Sequence, residues 1–396
     1  MNDNIKNYFK EIPNYLAFFV FSSFTISLSP ILIEIGKTFS IDPRDLSLIF
    51  ASITVGGIAG RLTSFFYRAR FNNLHIIITA YSLLSILVII LSQIRTLALF
   101  FIIYFLSGYL LGIILVIAME NLLESPITNK GMLINIATSF FPLGSIVFPP
   151  LVSILVKNGY DWKYLYYALF SMAVLMIILY STLKRYRKHP SPVKEQRLIL
   201  KGIFTDRSNN IIFIIMFFCL ILYVVPEFVL SNWSPTFYRM ESIIGVQSAS
   251  YMLSIFWAAI IIGRILVSFI TGRIKSRYIM LILALISLAS TVLLIFSKSS
   301  QSIYLLIGLA GLGYSALFPL ILSTGSTVYE KGRGTLATLM LLSSGIGLSL
   351  ASYLTRTISK YNMFLSMFMA VIFITMLLVL IIILIFYMKI NKKADT

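Results

Sequence analysis

The chain has 396 residues, of which 59% are hydrophobic and only 12% are charged. A soluble domain carries about a quarter charged residues and under half apolar ones. A membrane-crossing helix needs about 20 apolar residues, so twelve such helices would use roughly 240 residues and leave only short loops. The composition therefore excludes an assembly of soluble enzyme domains.

The net charge is +18, from 32 basic and 14 acidic residues. Because the basic residues stand between apolar runs, the positive-inside rule explains them better than nucleic-acid binding does. The single cysteine, Cys219, excludes a disulfide within the chain, and two histidines are too few for a histidine-rich metal or haem centre. We expect no cofactor and no metal.

Apolar runs separated by polar clusters predict twelve transmembrane helices, and hence an all-α membrane protein. In chain order their limits are 14–35, 46–67, 74–93, 97–120, 132–156, 163–183, 210–236, 248–270, 278–297, 302–326, 335–356 and 362–388. The second and seventh runs contain glycine or proline, which membrane helices tolerate more readily than soluble ones.

The longest hydrophilic segment, from Lys184 to Asn210, holds eight basic residues and separates six runs from six. It predicts three parts: an N-terminal six-helix bundle (1–183), a basic linker (184–209) and a C-terminal six-helix bundle (210–396). The linker is interpreted as lying on the anionic inner leaflet, with a specific lipid or partner site as the alternative.

The basic residues also predict an orientation in the membrane. If the N-terminus is cytoplasmic, 23 Lys and Arg fall on the inner side and nine on the outer side. The positive-inside rule then places both termini and the linker in the cytoplasm. We expect a multi-pass protein of an inner or plasma membrane.

The two halves resemble each other at a fixed offset of 203 residues. Four glycines recur at this offset, together with small-xxx-small pairs that let helix backbones approach closely in lipid. The matched glycines are Gly60 with Gly263, Gly108 with Gly311, Gly131 with Gly334 and Gly144 with Gly347. Two parallel six-helix halves are a transporter architecture, with the substrate site expected between them near the midplane.

Two segments at this offset carry the same basic pattern. Their key residues are Gly60, Arg61 and Arg70 in the first and Gly263, Arg264 and Arg273 in the second. They resemble the cytoplasmic loop motif G-R-L…D-R-x-G-R-R of the major facilitator superfamily, and the resemblance covers nearly the whole chain. The motif's Asp is replaced by Ala69 and Gly272, so its charge relay is not carried over. The basic residues are interpreted as membrane anchors or as a conformational latch.

Four further segments have a narrower resemblance. They are Asn135…Gly144, Tyr223…Tyr238, Phe256-Trp257 and Gly311…Pro319. They are similar to the fifth, seventh, eighth and tenth spans of the fucose–proton symporter family, whose seventh span reads Y-x-G-x-E…W…Y. The resemblance implies a sugar-like solute. Pro30 and the region of Ile117 stand where sugar–proton members have acids, so neither fucose nor proton coupling is implied.

Glu227 lies well inside the seventh run, where a carboxylate is costly and marks a functional site by default. It is a candidate for ion coupling or solute contact; the alternative is a buried structural residue. Polar residues spaced four, four, three and four predict one helical face. That stripe is Tyr223, Glu227, Ser231, Ser234 and Tyr238. Such a stripe indicates a cavity wall.

Several aromatic residues fall in the runs whose family counterparts line the cavity. These candidates are Trp233, Tyr238, Trp257, Tyr314 and Phe318. Their ring faces suit a sugar. Asn135 offers an amide for hydroxyl groups or for helix–helix bonding. Of the other acids, Glu34 is expected to be a solvated rim residue and Glu120 part of a structural ion pair.

These observations predict a secondary transporter that moves a small polar organic solute, with a sugar favoured, by alternating access. Its expected partners are that solute and the lipid bilayer, with protons as a candidate coupling partner and no nucleic acid. An exporter of amphipathic compounds is the alternative within this class, and a receptor or assembly protein that transports nothing is a second one. A membrane enzyme would want a histidine or paired carboxylates at a helix end, so we do not expect one.

Overall fold

The structure is a computed structural model and describes residues 8–68, 70–123, 125–127, 130–182, 206–270, 273–326, 328–329 and 333–394. All regular secondary structure in these ranges is helical, as predicted. The chain forms two compact units, Met1–Val193 and Lys194–Thr396. Most of the predicted linker, like Ala69 and Gly272 of the basic pattern, lies outside the described residues.

Unit 1 contains spans 1 to 6. Span 1 consists of Ile12–Ile26, the 3-10 turn Ser29–Ile31 and Leu32–Phe39. Spans 2 to 6 are Leu48–Arg68 with the short preceding helix Pro43–Leu46, Asn73–Gln93, Leu97–Leu123, Lys130–Lys157 and Tyr164–Ser181.

Unit 2 contains spans 7 to 12. Span 7 consists of Arg207–Phe228, the π-turn Val229–Trp233 and Ser234–Met240, and span 10 of Ser300–Tyr314 and Leu317–Ser326. Spans 8, 9, 11 and 12 are Val246–Ile270, Ser276–Ile295, Arg333–Tyr361 and Met363–Ala394.

Polar side chains start several of these helices. Asn72 accepts a hydrogen bond from the His75 N–H at the start of span 3, and Asp206 accepts from two N–H groups at the start of span 7. Ser299 caps span 10 in the same way. Each cap satisfies a backbone donor that the helix itself leaves unpaired, which fixes where the helix begins.

Eleven helices among the described residues are long and apolar enough to cross a membrane. The helix Arg333–Tyr361 lies where the eleventh span was predicted and has 29 residues, a length of about 43 Å, enough to cross a bilayer. It is less apolar than the others because glycine, serine and threonine are frequent in it. Large apolar side chains such as Phe269 and Leu305 are exposed on the units, as on a lipid-facing surface.

The helices pair in the same way within each unit. In unit 1, span 1 packs on span 5, span 2 on span 4 and span 3 on span 6. In unit 2, span 7 packs on span 11, span 8 on span 10 and span 9 on span 12. The internal repeat predicted from the sequence is therefore present as two pseudo-symmetric six-helix bundles.

Glycine brings spans 2 and 4 into backbone contact. A Cβ atom at Gly60 would collide with the Tyr109 carbonyl oxygen, and one at Gly108 with the Ile53 carbonyl oxygen. In unit 2, Gly311 lies in the same way against the Phe256 carbonyl oxygen of span 8. These are the small-residue contacts that the sequence spacing predicts.

Candidate functional site

Span 7 changes its helical geometry next to Glu227. Pro226 lies inside the helix, and the π-turn Val229–Trp233 follows directly. Proline has no N–H for the carbonyl four residues earlier, and a π-turn adds one residue to a helical turn. Residues beyond the π-turn are therefore rotated by about 100° from the face that a regular helix would give them.

Tyr223 and Glu227 are one regular turn apart and contact each other. The Tyr223 hydroxyl donates to Glu227 Oε1 at 2.9 Å and lies 3.3 Å from the Tyr314 carbonyl oxygen in span 10. Tyr223 is buried, whereas Glu227 is partly exposed. The carboxylate is thus held by a neighbouring hydroxyl, in a residue that is itself partly exposed.

Span 10 is interrupted next to this pair, between Tyr314 and Leu317. Pro319 explains the break, because it cannot donate to the Ser315 carbonyl oxygen and its ring crowds that group. Arg264 of span 8 supplies the missing donor: its Nε donates to the Ser315 carbonyl oxygen at 3.1 Å. Two successive carbonyl groups of span 10 therefore face Tyr223 and Arg264.

Aromatic rings surround the break. The Tyr223 ring lies 5.8 Å from the Tyr314 ring and 5.9 Å from the Phe318 ring, and Tyr314 lies 6.1 Å from Phe256, measured between ring centroids. Tyr314 is fully buried and Phe318 is partly exposed. We call Tyr223, Glu227, Arg264, Tyr314 and Phe318 the span-10 cluster.

The predicted polar stripe does not continue in a straight line. Ser231 and Ser234 donate to carbonyl oxygens of their own helix, Glu227 and Leu230, at 2.8 and 2.6 Å. The Tyr238 hydroxyl donates to the Leu294 carbonyl oxygen in span 9. The prediction of one continuous face is wrong beyond Ser231, because the π-turn rotates the helix.

The two tryptophan candidates are buried. Trp233 is 1% exposed, and its indole N–H donates to Ser366 Oγ in span 12 at 2.8 Å. Trp257 is 4% exposed and meets the neighbouring Phe256 ring edge-on. Trp233 is thus part of the packing between spans 7 and 12 rather than of the span-10 cluster.

The structure places the basic pattern partly inside the helices. Gly60 and Arg61 belong to span 2, and Gly263 and Arg264 to span 8. The remaining pair, Arg70 and Arg273, follows the ends of these spans and is exposed. The first four residues thus lie within the apolar runs 46–67 and 248–270, as predicted, and each helix continues for seven residues or fewer beyond its arginine.

The remaining candidates lie in unit 1. Asn135 belongs to span 5, but its side chain lies outside the described residues. Glu34 is partly exposed. The expected ion pair at Glu120 is confirmed, since Arg68 Nη2 lies 2.5 Å from Glu120 Oε1.

A buried amide network at the same end of unit 1 was missed by the sequence reasoning. Asn73 Nδ2 donates to Glu120 Oε2 and to Asn121 Oδ1, and Asn121 Nδ2 donates to Asn14 Oδ1. The Tyr180 hydroxyl also donates to Asn14 Oδ1. The network ties spans 1, 3, 4 and 6 together. Asparagines at the ends of the apolar runs were its signal in the sequence.

Two like bundles of membrane helices, with a carboxylate and a guanidinium beside a broken helix, are the architecture of a secondary transporter. The sequence profile of the Major Facilitator Superfamily matches residues 15–352, and the chain belongs to this superfamily. The protein is therefore a transporter rather than an enzyme, and a multi-pass integral membrane protein.

Two curated relatives span most of the chain. It is 23% identical over 344 residues to "Protein TsgA homolog" of Buchnera aphidicola subsp. Baizongia pistaciae, and the aligned region covers 86% of both chains. It is 24% identical over 339 residues to "Glucose/mannose transporter GlcP" of Bacillus subtilis, which covers 83% of this chain and 82% of the relative.

Solved structures share the fold at low sequence identity. A D-xylose-proton symporter matches with a TM-score of 0.75 and 14% identity, over 94% of this chain and 95% of the other. A POT family transporter in complex with 5-aminolevulinic acid matches with a TM-score of 0.78 and 14% identity, over 96% of both chains. These likenesses show the fold.

Proposed function

We propose that the protein moves a small polar organic solute across the membrane by alternating access, and that the solute is a sugar. The observation that carries this proposal is the span-10 cluster, which places the carboxylate of a partly exposed residue beside a guanidinium inside membrane helices. Ionisable groups at this depth are costly and mark solute or ion pathways. The similarity to a glucose/mannose transporter supports a sugar.

Glu227 is the proposed coupling residue. It lies within span 7, and Tyr223 holds one of its oxygen atoms. A carboxylate can take up a proton on one side of the membrane and release it on the other, and a change of its charge alters its attraction to Arg264. We propose a proton as the coupling ion.

Tyr223, Tyr314 and Phe318 are the proposed ring contacts, because they surround Glu227 and Arg264. Ser231, Ser234, Trp233, Tyr238 and Trp257 are left out of the proposed site. Their polar atoms or rings are engaged in packing within unit 2.

Uptake into vesicles of purified protein tests the function. Radiolabelled glucose, mannose and xylose should enter faster than into protein-free vesicles, and an inward proton gradient should drive accumulation of at least one. Efflux of amphipathic dyes without sugar uptake would favour the exporter alternative. Movement of neither class would favour a receptor or assembly protein and would contradict the proposal.

We propose that the protein lies in an inner or plasma membrane, with both termini and the basic linker in the cytoplasm. The surplus of basic residues on that side supports it. Ser191→Cys in a Cys219→Ser background gives one thiol in the linker. An impermeant maleimide should label it only after the cells are opened, and labelling of intact cells would contradict this topology.

A further inference from the structure

Arg264 has more hydrogen-bonding capacity than the protein uses. Its Nε donates to the Ser315 carbonyl oxygen at 3.1 Å. Its two Nη groups donate to no acceptor among the described residues. Since a guanidinium has five N–H donors in a planar fork, four remain for another molecule. Arg264 is partly exposed, so such a molecule can reach it.

Glu227 is its counterpart. Oε1 accepts from the Tyr223 hydroxyl, while Oε2 accepts from no described residue. The two charges attract each other but do not form a direct ion pair. Each is held by its own partner, one by a tyrosine of span 7 and the other by the broken helix of span 10. They are thus a separated donor and acceptor of opposite charge.

We infer that Arg264 and Glu227 together bind adjacent hydroxyl groups of the solute and select uncharged polyols over charged derivatives. One hydroxyl accepts from Arg264 Nη and its neighbour donates to Glu227 Oε2. This inference rests on the proposed function, since it concerns the solute of that same site. It adds Arg264 as a residue that contacts the solute, and a preference for uncharged solutes, which we call the charge rule. Neither follows from membership of the superfamily or from the similarity to the relatives.

The charge rule follows from the net charge of the pair. While Glu227 is ionised, the guanidinium and the carboxylate cancel, so a solute that brings a net charge finds no compensating charge and keeps the penalty of leaving water. A neutral polyol bonds to both the donor and the acceptor and adds no charge that lacks a partner. Removal of one partner leaves the other charge exposed to the solute, and the preference should then move towards the opposite charge.

A purely structural Arg264 would behave differently. If its only role were to hold the Ser315 carbonyl group, its loss would change the stability of the protein and the affinity for every solute alike. It would not change the ratio of affinities for an acidic and a basic derivative of one sugar. That ratio is therefore the measurement that separates the two roles.

The test uses the purified full-length protein in detergent and three probes that differ only at carbon six. They are glucose, glucuronate and 6-amino-6-deoxyglucose, and dissociation constants are measured by isothermal titration. We expect the wild type to bind glucose about tenfold more tightly than either derivative, the change expected for one unpaired charged group.

Arg264→Gln should shift the affinity ratio about tenfold or more towards the amino sugar, and Glu227→Gln should shift it towards glucuronate. Arg264→Lys keeps the charge and should keep the wild-type order even if it folds less well. Arg61→Gln is the matched control, since Arg61 occupies the equivalent place in span 2.

The outcomes separate the two proposals. Binding of glucose with no change of the ratio in either variant overturns the role of Arg264 and leaves the sugar transporter standing. A wild type that prefers a charged derivative also overturns the charge rule. Failure of all three probes to bind rejects the sugar assignment of the proposed function, and this inference falls with it.

Discussion

The internal repeat relates the helix pair of spans 2 and 4 to the pair of spans 8 and 10. Only the first pair consists of two uninterrupted helices. Both pairs approach closely at glycine, and both carry a Gly-Arg sequence at the same place. Span 4 runs without interruption from Leu97 to Leu123, whereas span 10 stops at Tyr314 and resumes at Leu317.

Single positions explain this difference. Val116 of span 4 stands 203 residues before Pro319, and it keeps the backbone N–H that proline lacks. Phe24 of span 1 stands in the same relation to Glu227 of span 7. The glycine contacts that pack a bundle are thus repeated in both units. At these two matched positions unit 1 has apolar residues, whereas unit 2 has the proline that interrupts span 10 and the carboxylate of span 7.

The largest effect should come from the glycine contacts. Gly60→Ala would push a methyl group into the Tyr109 carbonyl group, and backbone yields less than a side chain. We expect a loss of about 3 kcal/mol of stability, at the upper end for overpacking. Gly245→Ala is the matched control, because no atom lies within 4 Å of its added Cβ. Equal thermal stability of the two variants would contradict the close packing of spans 2 and 4.

The same substitution in unit 2 sharpens the comparison. A Cβ atom at Gly263 would meet the Ser315 side chain, whereas Gly112 occupies the matched position in span 4. Ser315→Gly should therefore restore part of the stability lost in Gly263→Ala. Thermal unfolding of the single and double variants measures this, and strictly additive losses would show that the two residues do not share the contact.

Pro319→Val should make span 10 resemble span 4. The restored N–H competes with Arg264 for the Ser315 carbonyl oxygen, so thermal stability should rise by about 1 kcal/mol. Transport should slow by about tenfold, as expected if Arg264 loses one charged hydrogen bond. A variant that transports like the wild type would show that the break is incidental.

The smallest effect concerns Trp233. Trp233→Phe keeps a ring but removes the N–H that donates to Ser366. Stability should fall by about 1 kcal/mol, the usual contribution of one such bond, while the apparent affinity for solute stays unchanged. Ser366→Ala is the matched partner variant and should cost a similar amount. A weakened affinity at unchanged stability would restore Trp233 as a ring contact for the solute.

The sequence predicts the repeated packing well because helical periodicity and glycine spacing are local properties. The hydrogen bond between Tyr223 and Glu227 also follows from their four-residue spacing. The π-turn after Phe228 does not, since an extra residue in a helical turn depends on what the helix packs against. The sequence left Arg264 as either a membrane anchor or part of a conformational latch, because nothing in the sequence tells which carbonyl group it reaches.

The most direct test of the account compares Glu227→Gln with Glu34→Gln in vesicles. Glutamine retains the acceptor for Tyr223 but cannot exchange a proton. Glu227→Gln should therefore lose accumulation against a gradient, while exchange of solute for solute survives at saturating solute even though the affinity is changed. Glu34, in span 1 of the other unit, is the matched carboxylate and should keep both activities. Wild-type accumulation in Glu227→Gln would contradict the claim that the carboxylate of the span-10 cluster drives transport.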